Sequence, residues 1–450
     1  MSSRLAPQPV SSIRTPLVAV REPVRVALFL APLFVLYLVV CGIAQPGLHP
    51  VRDEPDLLAA AGRLLDGQVV ATDVGPRAYL WHGPGVIALL APLVALDLPL
   101  TVIRFVEPIL MACAALVFHR LLRLRLGSRA SLAWTYVFGL YVPFFSVVPQ
   151  LHKEPLCILL VVVGMLALSR ALAGGRPLPL AAAGLSLSAV VMVRLEYGWV
   201  VLALLVIAVP AWVVRRRSAT ARRLAAIGLI ALAGCAPWLA YTQHLTGRPL
   251  YWGTSAGLSL FWMSPTLPGE TGQWHEPAKV ATDPALAAYA PLFERLAALD
   301  PVRSDRRLRE LALAHIRARP LAYARNLAAN AARLVFSVPM RPRLPLFGIA
   351  VYVLFNSLLL CGVAWAAAVL WRRRGTLPPE TAPIALFAVL AVAVHLPPSA
   401  STRMFLPVVP ALLWLVAQAF AISRPDASWP TARFAARAQL ADARRGARTS

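Results

Sequence analysis

The chain has 450 residues, 59% of them hydrophobic and 14% charged, with 44 Lys and Arg against 20 Asp and Glu. In a soluble protein a net charge of +24 would suggest a nucleic-acid partner. Here the basic residues crowd into short turns between apolar runs of the roughly 20-residue length a bilayer requires, so the charge reports membrane topology and nucleic acid is excluded as a partner. Cys41, Cys113, Cys157, Cys235 and Cys361 lie in or beside those runs without CxxC spacing, which excludes a disulfide framework and a cysteine metal motif.

Arg14 and Arg21 precede the first apolar run, 24–44, which ends in Gly42, Ile43 and Ala44. The run is longer than the core of a signal peptide, so a retained first span is expected. Further spans are expected over 101–122, 130–148, 155–172, 178–194, 197–214, 222–241, 347–371, 381–397 and 403–422, about ten helices in all. HGPGVIALLAPLVALD (82–97) is too short for a span and is expected at the interface. A cytoplasmic N-terminus puts RLLRLRLGSR (120–129), RALAGGR (170–176), RRRSATARR (215–223), WRRRG (371–375) and the basic C-terminus on the cytoplasmic side; counting 82–97 as a span would expel the first of them. Both termini are therefore expected in the cytoplasm, and the almost exclusive use of Arg as the basic residue suggests a GC-rich bacterium and its inner membrane.

The fold class expected is an all-α polytopic membrane protein. Its parts are a tail (1–23), a membrane core (24–242) with a first external loop (45–100) holding interfacial helices, a long external segment (243–346), C-terminal spans (347–422) and a basic tail (423–450). The external segment opens with TGRPLYWGTSAGLSLFWMSPTLPGETG, and helical patterns follow near 284–299, 304–318 and 320–337, the second with Leu308, Leu311 and Ile316 on one face.

This topology gathers the unusual residues on one side: Asp53, Glu54 and Asp56, then Arg104 and Glu107, His152 with Lys153 and Glu154, Arg194 with Glu196 and Tyr197, and His395 with Arg403. Each has a structural reading by itself. Asp53 with Asp56 fits a helix N-cap and its third-position acid, which leaves Glu54 unexplained; Glu154 before Pro155 suits a helix N-terminus. Arg194 and Glu196 fit a surface ion pair, Arg403 an interfacial snorkelling residue and His395 a packed one. Together, however, separate turns present carboxylates and guanidinium groups, the set needed to neutralise a phosphate and to take a proton from a hydroxyl. No GxxxxGK[ST], GxGxxG or HExxH motif occurs.

In order and topology the chain resembles the GT-C type polyprenyl-phosphate-sugar-dependent glycosyltransferases, a class that includes dolichyl-phosphate-mannose protein mannosyltransferases and lipid A aminoarabinose transferases. The resemblance runs from about Val51 to Phe420: DEPDLLAAAGRLLDG after the first span, the Gly-Pro segment WHGPGVIALLAPL, Arg104 through HRLLRLRLG, then APWLAYTQHLTGRPLYWGTSAGLSLFW, and STRMFLPVVPALLWL opening the last span. The chain departs from the pattern at Leu57, where the family frequently has an aromatic, and at HKEP, where relatives carry varied acids. The resemblance implies transfer of a sugar from a polyprenyl phosphate to a hydroxyl of a glycan, lipid or protein at the extracytoplasmic face. Asp53 is then the expected base, ahead of Glu54 and Glu154; Arg194, Arg403, Lys153 and Arg104 would bind the donor phosphate, and Glu196, His82 and His152 would orient the acceptor. No ligand set calls for a metal, although the wider class includes divalent-metal enzymes, and the apolar surface beside 82–97 would take the lipid tail. The alternatives are a transporter or flippase of an anionic glycolipid, which would be expected to show related halves or broken midplane helices, and a noncatalytic subunit of an envelope-polysaccharide complex.

Overall fold

A computed structural model describes residues 16–68, 80–174, 176–214, 218–264, 269–339 and 345–423. Residues 1–15 of the expected N-terminal tail, with Arg14, the arginines at 215–217 and nearly all of the basic C-terminal tail lie outside the described residues; the rest of the expected N-terminal tail, 16–23, opens α1. In chain order come α1 (Pro16–Ala44), α2 (Glu54–Leu65), α3 (Pro84–Ala95), α4 (Leu100–Ile103), α5 (Val106–Leu122) and α6 (Ser128–Gly139). Next are α7 (Glu154–Gly174), α8 (Pro177–Val193), α9 (Tyr197–Val214) and α10 (Ala219–Thr246). The long segment holds α11 (Ser255–Met263), α12 (Ala290–Ala297), α13 (Pro301–Ala318) and α14 (Pro320–Phe336), and α15 (Leu346–Arg372), α16 (Thr381–Ala393) and α17 (Val409–Ser423) close the chain. Among the described residues seven helices are long and apolar enough to cross a membrane, with shorter apolar helices at Pro84–Ala95, Pro177–Val193 and Thr381–Ala393. The chain is a polytopic, all-helical membrane protein.

Local chemistry sets several boundaries. The Ser218 hydroxyl accepts from the Ala221 N–H to open α10, and Gly247 in the left-handed region (φ 67) closes it. Asp300 caps α13 through the N–H groups of Val302 and Arg303, with Pro301 in the first turn, where no N–H is needed. The three helices expected in the long segment are α12 with its preceding 3-10 turn, α13 and α14.

The third expected span, 130–148, is not one helix: α6 stops at Gly139 and a 3-10 turn covers Val142–Ser146. Pro143 has no N–H to give the Gly139 carbonyl, and the hydroxyl of Tyr37 on α1 donates to that carbonyl instead at 2.8 Å. The last expected span likewise begins as a 3-10 segment, Thr402–Val408, before α17. The 82–97 segment is a 12-residue helix, α3, about 18 Å long at 1.5 Å per residue and too short to cross. Its Val86, Ile87, Leu90 and Ala91 pack on Leu57 and Ala61 of α2, so its apolar face is used within the protein.

At one end of the bundle Arg125 forms a two-pronged pair with buried Glu380, at 2.8 and 3.0 Å. At the other end the loops and the long segment interlock. Asp305 on α13 accepts from the Gly257 N–H of α11 (2.6 Å), from Tyr251 and from Arg309. Asn330 of α14 holds the turn before the last span: its amide donates to the Leu396 and Pro398 carbonyls and its oxygen accepts from the Ala400 N–H.

Candidate active site

The site lies at this second end, where the loop after α1, the turn before α7, the α8–α9 turn and the turn before α17 converge. Asp53 occupies the N-cap position of α2 but makes no capping bond. Its Oδ2 instead accepts from Arg403 at 3.0 Å, across 350 positions of sequence. The capping explanation for Asp53 therefore fails in the side chain, while α2 starts on Pro55 and is followed by Gly67 in the left-handed region (φ 75).

The same Nη1 of Arg403 lies 2.8 Å from His152 Nδ1. His152 Nδ1 is 3.9 Å from Glu154 Oε2, Glu154 Oε1 accepts from Arg194 at 3.2 Å, and Arg194 Nε donates to Glu196 at 2.9 Å. Glu196 lies 3.4 Å from His395 Nε2, whose other ring nitrogen sits 2.6 Å from the Ala391 carbonyl. One chain of contacts thus joins Asp53, Arg403, His152, Glu154, Arg194, Glu196 and His395. The carboxylates differ in access: the Asp53 and Glu196 side chains are 20% and 33% exposed and Glu154 only 4%. Solvent reaches Asp53 and Glu196 before Glu154.

Glu54 and Arg104, expected among the base candidates and the phosphate ligands, are brought together elsewhere. Nε and Nη2 of Arg104 donate to Glu54 at 2.9 and 2.7 Å, and the Val51 and Leu151 N–H groups complete the carboxylate's shell. Arg104 also donates to the Gly47 and His49 carbonyls. Both side chains are buried with their bonding capacity met within the protein. Burial alone would raise the Glu54 carboxyl, but the Arg104 bond and the two backbone donors hold it below the usual range. The pair is a clamp joining the first loop, α4–α5 and the turn before α7; it offers no acceptor lone pair to a substrate. Glu107 works beside it: its Oε1 accepts the His152 N–H at 3.0 Å.

Electrostatics follow from burial and crowding. Burial opposes charge on Asp53, yet Arg403 and then Lys153 outweigh it and hold the carboxyl well below its ordinary value. Burial, then Arg403, lowers His152 to about 4, so the ring is neutral near pH 7 and its Nδ1 accepts from Arg403. The sign is that of a buried neutral base: the unfolded state binds the proton first, so stability falls as pH drops from 6.5 toward 4, by about 3 kcal/mol for this group alone. Thermal melts of the purified protein across that range are expected to flatten in His152→Gln; an unchanged slope would assign the acid lability to the carboxylates. Lys153 has burial lowering its pKa and Glu196 opposing that, and no hydrogen bond engages its ammonium among the described residues. His82 stands within electrostatic reach of Asp53. Its segment is fixed by Gly83, where a Cβ would meet the Met192 carbonyl oxygen at 2.0 Å, so only glycine lets the loop seat on the end of α8. No three His, Cys, Asp or Glu among the described residues are grouped to hold a metal.

Away from the cluster, an apolar crevice of about 260 Å³ runs between α7, α8, α9, α10 and α16, walled by residues such as Leu160, Met165, Val190, Leu204 and Phe387 and reaching Ser218 and Thr220 at the opposite end of the bundle. Leu160 is six residues into α7 from Glu154, about 9 Å below it. Sequence reading had no access to this crevice, because the helices lining it are apolar on every side and carry no periodic signal.

No family model matches the chain, and no curated protein matches it. Among solved structures it is similar to the archaeal oligosaccharyltransferase AglB from Archaeoglobus fulgidus, in complex with an inhibitory peptide and a dolichol-phosphate. The identity is 12% and the TM-score 0.49, over 87% of this chain and 50% of that one. It is also similar to ArnT from Cupriavidus metallidurans bound to undecaprenyl phosphate, at 16% identity and TM-score 0.40, over 89% of this chain and 79% of that one. The chain spans half the length of the first of these structures. Likenesses this remote leave the chemistry to be argued from the residues themselves.

Proposed function

We propose that the protein is a membrane glycosyltransferase that moves a sugar from a polyprenyl-phosphate donor to an acceptor hydroxyl on the extracytoplasmic face of a bacterial inner membrane, with both termini in the cytoplasm. The observation that carries this reading is the Asp53–Arg403 pair, partly exposed with the Lys153 ammonium within electrostatic reach of Asp53. A lipid phosphate suits that pair: the head meets Arg403 and Lys153, and the hydrocarbon tail stays among the apolar helices below. The proposed sidedness is supported by the arginines Arg120, Arg123, Arg125, Arg170, Arg176, Arg222 and Arg223 in helix ends and turns at the opposite end of the spans.

In this reaction the acceptor oxygen bonds to the anomeric carbon as the bond from that carbon to the phosphate oxygen breaks. The acceptor proton goes to Asp53 and the polyprenyl phosphate leaves with both electrons, its charge met by Arg403 and Lys153. Arg403 links the two ends of the event. While it pairs with Asp53 the carboxylate is a weak base; a donor phosphate competes for the guanidinium, and Asp53 regains proton affinity when substrate is in place. Arg194 has both of its nearest carboxylates, Glu154 and Glu196, to satisfy and acts chiefly by shaping the cluster. No step needs a metal.

The test is turnover of undecaprenyl-phosphate-linked sugars by the full chain in nanodiscs, read as released undecaprenyl phosphate. Product formation supports the transferase; movement of the lipid between leaflets without product would replace it with a carrier. Lys153→Ala is expected to raise the donor KM about ten- to a hundredfold, the worth of one charge-assisted hydrogen bond, with the acceptor KM unmoved.

A further inference from the structure

Two tryptophans stand at the edge of the site without a part in the chemistry above. Trp81 and Trp274 meet at 5.5 Å between ring centroids, tilted by 54°, and both are only half-buried, against the core of the long segment. Their anchoring is what draws attention. Trp81 lies between Leu80, whose carbonyl accepts from the Thr254 N–H, and His82, which stands within electrostatic reach of Asp53. The following Gly83 is pressed on Met192, two residues before Arg194. Trp274 follows Gly272, whose carbonyl accepts from Ser399 at 2.9 Å and from the buried Arg333 at 3.0 Å, and Ser399 is in the turn that leads to Arg403. The two rings are thus tied to the two segments that supply the site's guanidinium groups, with His82, next to Trp81, within electrostatic reach of Asp53.

A core packing role would bury these rings, and a membrane-interface belt would place them singly around the rim. Two partly exposed indoles held at an angle, one of them adjacent in sequence to a residue that senses Asp53, suit a ring whose C–H groups are polarised and whose edge carries hydroxyls. We propose that Trp81 and Trp274 form a saccharide-binding platform that stacks one sugar ring so that its hydroxyl is presented toward Asp53. The inference rests on the transferase reading for its meaning, and it names a carbohydrate as the ligand class; that ring belongs either to a glycan acceptor or to the donor.

The experiment uses the full chain in nanodiscs, free of sugar-based detergent, with intrinsic tryptophan fluorescence as the readout and maltotetraose, α-1,6-mannotetraose and α-1,5-arabinotetraose as probes. At least one probe is expected to quench the wild type saturably. Trp274→Ala and Trp81→Ala should each weaken that binding about tenfold, the worth of one aromatic contact, while Trp274→Phe and Asp53→Asn retain it. No saturable quenching by any probe, or wild-type affinity in both alanine variants, overturns the proposal. Competition by undecaprenyl-phosphate-mannose but not by undecaprenyl phosphate supports the platform and assigns it to the donor sugar; additive binding supports it and assigns it to the acceptor. Native mass spectrometry of undecaprenyl phosphate on the same samples keeps the two readings apart: its loss in wild type removes the donor assignment and leaves the sugar platform standing on the fluorescence.

Discussion

Asp53→Asn is expected to lower sugar transfer by about 10²- to 10⁴-fold, the usual worth of a positioned general base, while the protein folds and still binds undecaprenyl phosphate. The expectation of an intact fold comes from the geometry. Asp53 gives α2 no capping bond, its side chain is a fifth exposed, and an Asn oxygen can still accept from Arg403. What Asn cannot do is take a proton. Glu196→Gln is the comparison, because Glu196 is the other accessible carboxylate of the cluster. Its loss should mainly disturb Arg194 and His395, which it contacts at 2.9 and 3.4 Å, with a smaller fall in turnover. If the Gln variant is dead and the Asn variant retains activity within about tenfold of wild type, too small a loss for a general base, the roles of the two acids are reversed.

The second large effect is on stability. Arg104→Ala removes the partner of a buried carboxylate, and breaking one side of such a pair costs about 3–5 kcal/mol because the remaining charge is stranded. Here it also strips donors from the Gly47 and His49 carbonyls and loosens the Leu151 contact that leads into His152. Activity should fall with the melting temperature, and the two should recover together in the double variant Arg104→Met with Glu54→Gln. In that protein the charge is gone, and one amide oxygen remains for the Val51 or Leu151 N–H. A double variant no more stable than Arg104→Ala would show that the carbonyl contacts of Arg104, and not the stranded charge, dominate. Arg104 as a direct phosphate ligand would instead predict normal melting with a raised donor KM.

Some of the site was legible from residues alone. Hydropathy and the placement of arginines put Asp53, Lys153, Glu154, Arg194, Glu196 and Arg403 at the ends of spans on one side, since a bilayer tolerates few charges inside it. That five of these enter one run of contacts with His152 and His395 is more than such counting can show, because loops on the same side can lie far apart around a bundle. Glu54 illustrates the limit. It neighbours Asp53 in sequence and has the same chemistry, yet one residue along the first turn of α2 turns its carboxylate inward to four donors, two of them on Arg104, while the Asp53 side chain stays partly exposed. Trp81 and Trp274 were invisible for a related reason: scattered aromatics are common at membrane interfaces, and only the meeting of two of them has meaning.

The sequence by itself determined that this chain is a helical membrane protein, roughly where its spans lie, where the three helices of its long segment lie and that its acids and bases gather at one end of the spans. Those properties come from local solvation and periodicity. Only the tertiary structure decided that Pro143 breaks the third span into two pieces, that Glu54 and Arg104 serve each other, that Asp53 reaches Arg403 across the whole chain, and that a crevice opens between α7 and α9. Each of these depends on which loop end meets which. That is set by packing among helices that are apolar on all sides, so their partners leave no mark in the pattern of any one of them.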